Sequence, residues 1–191
     1  MRLTGEMRPL RVFDNFLPDA EAYRAEAAAR DDFRSFDFPE VGVTFHGIAA
    51  PTPLNVIAKL QRMFPTLTAT LSFFRRSPQG QVEPHFIHTD ADMGDYTALL
   101  YLNLAPPMRD GTSFWRYLPT GAIGSAAPHE RSAEGMTADP ALWKRWNHVK
   151  ARFNRLVLFP ATHFHSRALF DNWSAEGEDR LTQVVFWKGA P

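Results

Sequence analysis

"HTDADMGDYTALLYLN", residues 88–103, is the stretch whose reading decides the fold. From Tyr96 to Asn103 the residues are β-forming and apolar, and in an extended chain Thr97, Leu99, Tyr101 and Asn103 share one face. Just upstream, His88 and Asp90 stand two apart, so in extended backbone they project to the same side and can converge on one ion. A lone pair of this kind is a short motif that also occurs in surface turns, and its meaning depends on what surrounds it.

Outward from this strand the period of two recurs. Leu67 to Arg76, Val82 to His88, Thr112 to Tyr117, Arg155 to Phe159 and Leu181 to Lys188 are further strand candidates, separated by Pro- and Gly-rich turns. Toward the amino terminus, Leu10 to Phe13 reads as a short strand, and the alanine-rich Ala20 to Arg30 as a helix that Asp19 can cap. Asp31 to Glu40 is charged and aperiodic and reads as a loop, while Val41 to His46 alternates as a strand. Pro53 to Phe64 is expected to be a second helix, with Val56, Leu60 and Phe64 on one apolar stripe.

Two early helices followed by strands without intervening helices argue against a doubly wound parallel sheet. They favour a mostly β protein with flanking helices packed on a jelly roll. The expected organisation is one domain over 1–191, with a helical support over 1–66 and a β core over 67–188. Residues 120–149 break the pattern and read as an insertion over the mouth of the barrel, with a helix around Pro140 to His148 that carries Trp143 and Trp146.

The composition narrows the function. Of 191 residues, Lys plus Arg and Asp plus Glu number 21 each, so the net charge of zero offers no broad field to gather a nucleic acid. Cysteine is absent, which excludes disulfides and thiolate zinc sites and leaves histidine and carboxylate as metal ligands. Met1 to Arg11 lacks the apolar stretch of a secretory signal, and no run reaches membrane-spanning length, so a cytoplasmic protein with no membrane partner is expected.

A third ligand is available far downstream. After the apolar strand ending in Phe159-Pro160 comes "ATHFHSR", residues 161–167, with His163 and His165 both on one side of an extended segment. Two imidazoles and a carboxylate can occupy one triangular face of a divalent ion and leave the opposite positions open, an arrangement suited to non-haem iron and dioxygen.

The runs "HTDADMGDYTALLYLNLAPPMRDGTSF", "NRLVLFPATHFHSRALF" and "DRLTQVVFW", with the opening "VFDNFLPDAEAYR", resemble the iron(II)- and 2-oxoglutarate-dependent oxygenases, in particular their prolyl-hydroxylase-like branch. The resemblance implies a double-stranded β-helix, cupin-like core. It also implies iron held by His88, Asp90 and a distal histidine, and an arginine anchoring 2-oxoglutarate as co-substrate.

In that branch the distal ligand commonly stands five positions after the proline of an "FP" turn, which favours His165 over His163. Arg180, with Thr182 on the same strand face, matches the family's arginine-x-serine/threonine element. Arginine suits this role because it meets a carboxylate with two parallel hydrogen bonds and stays charged. Arg180 lies further past His165 than is usual, the excess being the polar stretch Asn172 to Asp179, and Arg167 is the alternative anchor. Tyr101 matches the position of a tyrosine that holds the co-substrate, and reads equally well as a core residue. Asn103 reads as a strand-end residue.

The implied activity is hydroxylation of a small-molecule or peptide substrate using dioxygen. Arg75, Arg76, His85, Trp115 and Arg116 are expected near the mouth. Two rivals follow from the same residues: a cupin-like metal barrel without 2-oxoglutarate chemistry, and a non-catalytic sensor or assembly module.

Overall fold

Two antiparallel sheets face each other, and the chain passes repeatedly between them. The computed structural model describes residues 10–38, 43–78, 87–126, 139–167 and 178–191. In chain order its elements are β1 (Arg11–Phe13), α1 (Ala20–Ala29), β2 (Arg34–Phe38), β3 (Val43–Ala49), α2 (Asn55–Met63), β4 (Thr68–Ser77), β5 (Tyr96–Tyr101) and β6 (Gly111–Tyr117). There follow a 3-10 turn (Pro140–Leu142), β7 (Trp143–Lys150), β8 (Arg155–Pro160), β9 (His165–Ser166) and β10 (Arg180–Lys188). The large sheet has the order β1-β8-β5-β10-β4-β3-β2, the small one β7-β6-β9. His88 extends the small sheet by bridging to His165 on β9. From β4 onward the chain goes to the small sheet at His88, returns at β5, crosses at β6 and β7, returns at β8, crosses at β9 and ends at β10. That is the winding of a double-stranded β-helix.

Alternation along β5 separates two cores. Tyr96, Ala98, Leu100 and Leu102 join Leu156, Leu158, Leu181, Val185 and Trp187, and this face is covered by Tyr23 and Ala27 of α1 and Val56 and Leu60 of α2. The opposite face carries Leu99 and Tyr101, which pack with Val157, Phe159, Phe114, Val149 and Trp146 between the sheets. Burial on both faces explains why β5 and β8 read as nearly continuous apolar runs. The helices therefore support the large sheet from outside, and the space between the sheets is left for the site.

Several local expectations are corrected. Residues 34–38 form strand β2 and not part of a loop; β3 supplies its partner backbone, a tertiary pairing that overrides the charged, aperiodic sequence. Asp19 precedes α1 but its side chain makes no cap hydrogen bond. The helix expected around 140–148 is instead the short 3-10 turn followed by β7, which pairs with β6 and forms part of the barrel wall. Trp143 and Trp146, three apart, look like one helical face, but β7 turns them to opposite surfaces. Trp143 packs on Tyr117 and Phe164, whereas Trp146 meets Phe114 and His163 beside a register shift at Phe114/Trp115. Of the strand expected over Val82 to His88, residues 82–86 lie outside the described residues, as does most of the polar stretch 172–179.

Candidate metal centre

His88 and His165 are brought together by backbone. The amide of His88 donates to the carbonyl of His165 at 2.9 Å, and the amide of His165 donates back at 2.8 Å, a closed antiparallel pair. Directly paired residues project to the same face, and the two imidazole centroids lie 4.3 Å apart. Asp90 is two residues further on, its amide held by the carbonyl of Ala161 at 2.7 Å. Its carboxylate therefore joins the same face, with Oδ1 3.7 Å from His88 Nε2 and Oδ2 3.3 Å from His165 Nε2. One ligand atom from each of the three lies within 4.8 Å of the others.

These positions suit an ion. Ligand bonds of about 2.1 Å at right angles put ligand atoms about 3 Å apart, so the three side chains need only small closure to share a metal face. Two imidazoles and one carboxylate are the donor set of a facial iron site. Thr97 Oγ1 donates to Asp90 Oδ2 at 2.7 Å, and His165 Nδ1 bonds the carbonyl of His163 at 2.9 Å, which leaves Nε2 as the nitrogen that could meet an ion. Phe114 and Phe159 flank the His165 ring and limit its rotation.

The electrostatics agree with a tightly coupled cluster. Burial by itself would raise the Asp90 carboxyl, but the positive ends of His165 and His88 and the hydrogen bonds from His165 and Thr97 hold it well below the usual range. His165 is raised: burial opposes the charged ring, and Asp90 outweighs burial. An entering cation would take the place of the proton on that imidazole.

His163 is not part of the cluster. Its ring lies at the same inner layer, 6.2 Å from Phe114 and 6.0 Å from Trp146, and burial together with the neighbouring His165 pushes it down to about 4. It is neutral near pH 7, and neither its buried Nδ1 nor the buried Nε1 of Trp146 has a hydrogen-bond partner among the described residues. Of the two distal candidates, the one brought to His88 and Asp90 is His165.

The residues expected to hold the co-substrate gather at the other end of β5. Tyr101 and Thr182 are directly paired across β5 and β10, with Arg75 of β4 on the other side of Thr182. Tyr101 bonds Thr112 of β6 at 2.7 Å, and burial holds its phenol protonated, raised above the ordinary tyrosine value. Asn103, a strand-end residue, fixes the start of β10, since its side chain accepts from the amide of Leu181 at 2.8 Å and donates to the carbonyl of Asp179 at 2.8 Å.

Sequence reasoning missed Asp110. Buried with Arg180, it accepts the guanidinium Nε at 3.0 Å through Oδ1 and at 3.3 Å through Oδ2. Asp110 preceding Gly111 carried only a turn signal. Arg167 follows β9, while His85 lies outside the described residues.

A family model described as a family of unknown function, DUF6445, matches residues 76–186, which include the three clustered residues and Arg180. The chain belongs to that family. No curated protein matches the DUF6445 chain in sequence. Among solved structures it is similar to the non-haem alpha-ketoglutarate-dependent carbocyclase SnoK of nogalamycin biosynthesis, with 16% identity and a TM-score of 0.63 over 95% of this chain and 79% of that one. HygX of Streptomyces hygroscopicus, solved with nickel, 2-oxoglutarate and hygromycin B, matches at 16% identity and a TM-score of 0.57 over 96% and 84%. A Pseudomonas putida prolyl-4-hydroxylase matches at 17% identity and a TM-score of 0.54 over 94% and 92%. At this identity the likeness is one of fold. That fold is shared by a carbocyclase and a prolyl hydroxylase alike, so the likeness does not single out one branch of the iron and 2-oxoglutarate oxygenases.

Proposed function

We propose that this DUF6445 chain, taken as one domain, is a non-haem iron oxygenase that couples oxidative decarboxylation of 2-oxoglutarate to hydroxylation of a small-molecule or peptide substrate. The observation that carries the reading is the convergence of His88, Asp90 and His165 on one inner face, with Nε2 to carboxylate separations of 3.3 and 3.7 Å. His88, Asp90 and His165 would hold iron(II); Arg180, Thr182 and Tyr101 would hold the distal carboxylate of 2-oxoglutarate. Iron with 2-oxoglutarate supplies the oxidising chemistry when bound. The protein's part would be to hold three ligands on one side, to orient the Asp90 carboxylate through Thr97, to fix the tautomer of His165 and to flank its ring with Phe114 and Phe159. Tyr101, protonated at working pH, offers a phenolic hydrogen, and Thr182 a hydroxyl, to a carboxylate seated at Arg180. The reading keeps the cytoplasm as the compartment, where ferrous iron stays reduced. Among the described residues no helix is long and apolar enough to cross a membrane.

One observation favours a rival. Asp110 already compensates the charge of Arg180, as it would in a metal barrel that uses no 2-oxoglutarate. Anaerobic reconstitution with iron(II) decides between them, because metal found on purified protein reflects affinity order more than native use. The proposal expects 2-oxoglutarate to bind the iron-loaded protein and, once dioxygen is admitted, succinate to form, slowly without substrate and faster with one from a panel. Asp90→Ala should abolish metal retention and turnover, while Arg180→Ala should weaken 2-oxoglutarate binding to a low but measurable affinity and keep the metal. Background turnover throughout, with metal content unchanged in Asp90→Ala, refutes it.

A further inference from the structure

We infer that Asp110 is a positioning residue for the co-substrate seat: by taking the Nε edge of Arg180 it aims the other edge of the guanidinium at the incoming carboxylate. This rests on the function proposed above. A guanidinium is a planar fork with five N–H groups, and a bidentate carboxylate needs one whole edge of it in a fixed plane. Left alone, a long arginine side chain rotates freely and the fork has no preferred plane. Here Nε lies between both oxygens of Asp110, at 3.0 and 3.3 Å, and that contact, together with the planarity of the group, sets the direction of the terminal nitrogens. No hydrogen bond from those terminal nitrogens is seen among the described residues.

Asp110 is itself immobilised. Its amide donates to the carbonyl of Pro107 at 2.9 Å, its carbonyl accepts from Ala151 at 2.8 Å, and Oδ1 accepts from the amide of Gly111 at 2.6 Å. The last contact depends on glycine: Gly111 has φ +152, and a Cβ there would lie 2.1 Å from the carbonyl oxygen of Val149. Arg180 is fixed from the other side, since Asn103 clamps the backbone at residues 179 and 181. The ion pair thus joins the entry of β6 in the small sheet to the entry of β10 in the large one. Both partners are buried, so the orientation is not averaged by solvent.

A carboxylate beside an arginine could instead act as a competitor that the co-substrate must displace. The backbone bonds that hold Asp110 oppose that, and the two roles differ in sign. The test measures calorimetric affinity of 2-oxoglutarate for manganese(II)-loaded protein, with metal affinity and melting temperature as controls. Asp110→Ala is expected to weaken 2-oxoglutarate at least tenfold with metal affinity unchanged. Asp110→Asn, which keeps an acceptor for Nε, is expected to stay within threefold of wild type. In an Arg180→Ala background, Asp110→Ala should add less than twofold, because it acts only through the arginine. Smaller weakening or any tightening in Asp110→Ala, a change beyond threefold in Asp110→Asn, or an equal loss in the Arg180→Ala background overturns the inference. If the alanine variant does not fold, Asp110→Ser, too short to reach the guanidinium, takes its place with the same thresholds. Wild-type protein that retains metal but binds no 2-oxoglutarate refutes the proposed function instead.

Discussion

Thr97→Val removes one hydroxyl from the wall of the candidate metal centre and keeps the shape of the side chain. Thr97 Oγ1 donates to Asp90 Oδ2 at 2.7 Å, and Thr97 is almost fully buried. A hydrogen bond to a charged group contributes about 1.5–3 kcal/mol. At about 1.4 kcal/mol per tenfold, that corresponds to a loss in metal affinity on the order of 10- to 150-fold, which overlaps the roughly 10- to 100-fold typical of residues that orient metal ligands. The lower part of the range is expected here, because the amide of Asp90 stays tied to the carbonyl of Ala161 at 2.7 Å and keeps the carboxylate on the same face. Competition against a chelator of known affinity, with manganese(II) or anaerobic iron(II), reads the change, and the melting temperature of the metal-free protein reports any loss of fold. An affinity within twofold of wild type, in a variant that is folded, would show that Thr97 does not orient the carboxylate.

Two further outcomes test the frame around the site. Gly47 has φ +68 and a Cβ there would fall 1.8 Å from the carbonyl oxygen of Arg76, so Gly47→Ala should lower unfolding free energy by at least about 2 kcal/mol in a denaturant titration, and an unchanged midpoint would contradict the close approach of β3 to β4. His148 is lowered first by burial and then by Arg145, so its ring should titrate by NMR below the ordinary 6.5 and move upward in Arg145→Ala; because the folded value is depressed, the stability it contributes is present above about pH 6.5 and falls as pH drops through the lowered value, and a midpoint at or above 6.5 would reverse that sign.

What could be read from the sequence follows from how local each signal is. Strands β4, β5, β6, β8 and β10 are legible because alternation and flanking turns are properties of the segments themselves. β7 is not, because Trp143 and Trp146 stand three apart, a spacing that imitates one helical face although the strand turns them to opposite surfaces. β2 is a strand only because β3 lies beside it. His88 and Asp90 are legible as a pair two apart, and the preference for His165 comes from family resemblance. The ion pair of Asp110 with Arg180 spans 70 positions and has no periodic or local signature, so only the packing of two sheets could reveal it.

The choice between His163 and His165 is open in the sequence because both project to the same side of an extended segment. Strand pairing closes it. His88 exchanges both backbone hydrogen bonds with His165, whereas His163 bridges to Gly124, so the two histidines answer to different neighbours. In an antiparallel ladder a slip of one residue turns every side chain to the opposite face. Such a slip here would turn His165 away from Asp90 and bring Phe164, now edge-to-face with Trp143, to the inner face. The second backbone tie, from the amide of Asp90 to Ala161, opposes it, since the 88–90 segment is held to the 161–165 segment at both ends. The convergence of His88, Asp90 and His165 is thereby set by strand register. The shared face of these three side chains would persist through side-chain changes in the turns, and would be lost through changes that disturb the pairing of 88–90 with 161–165.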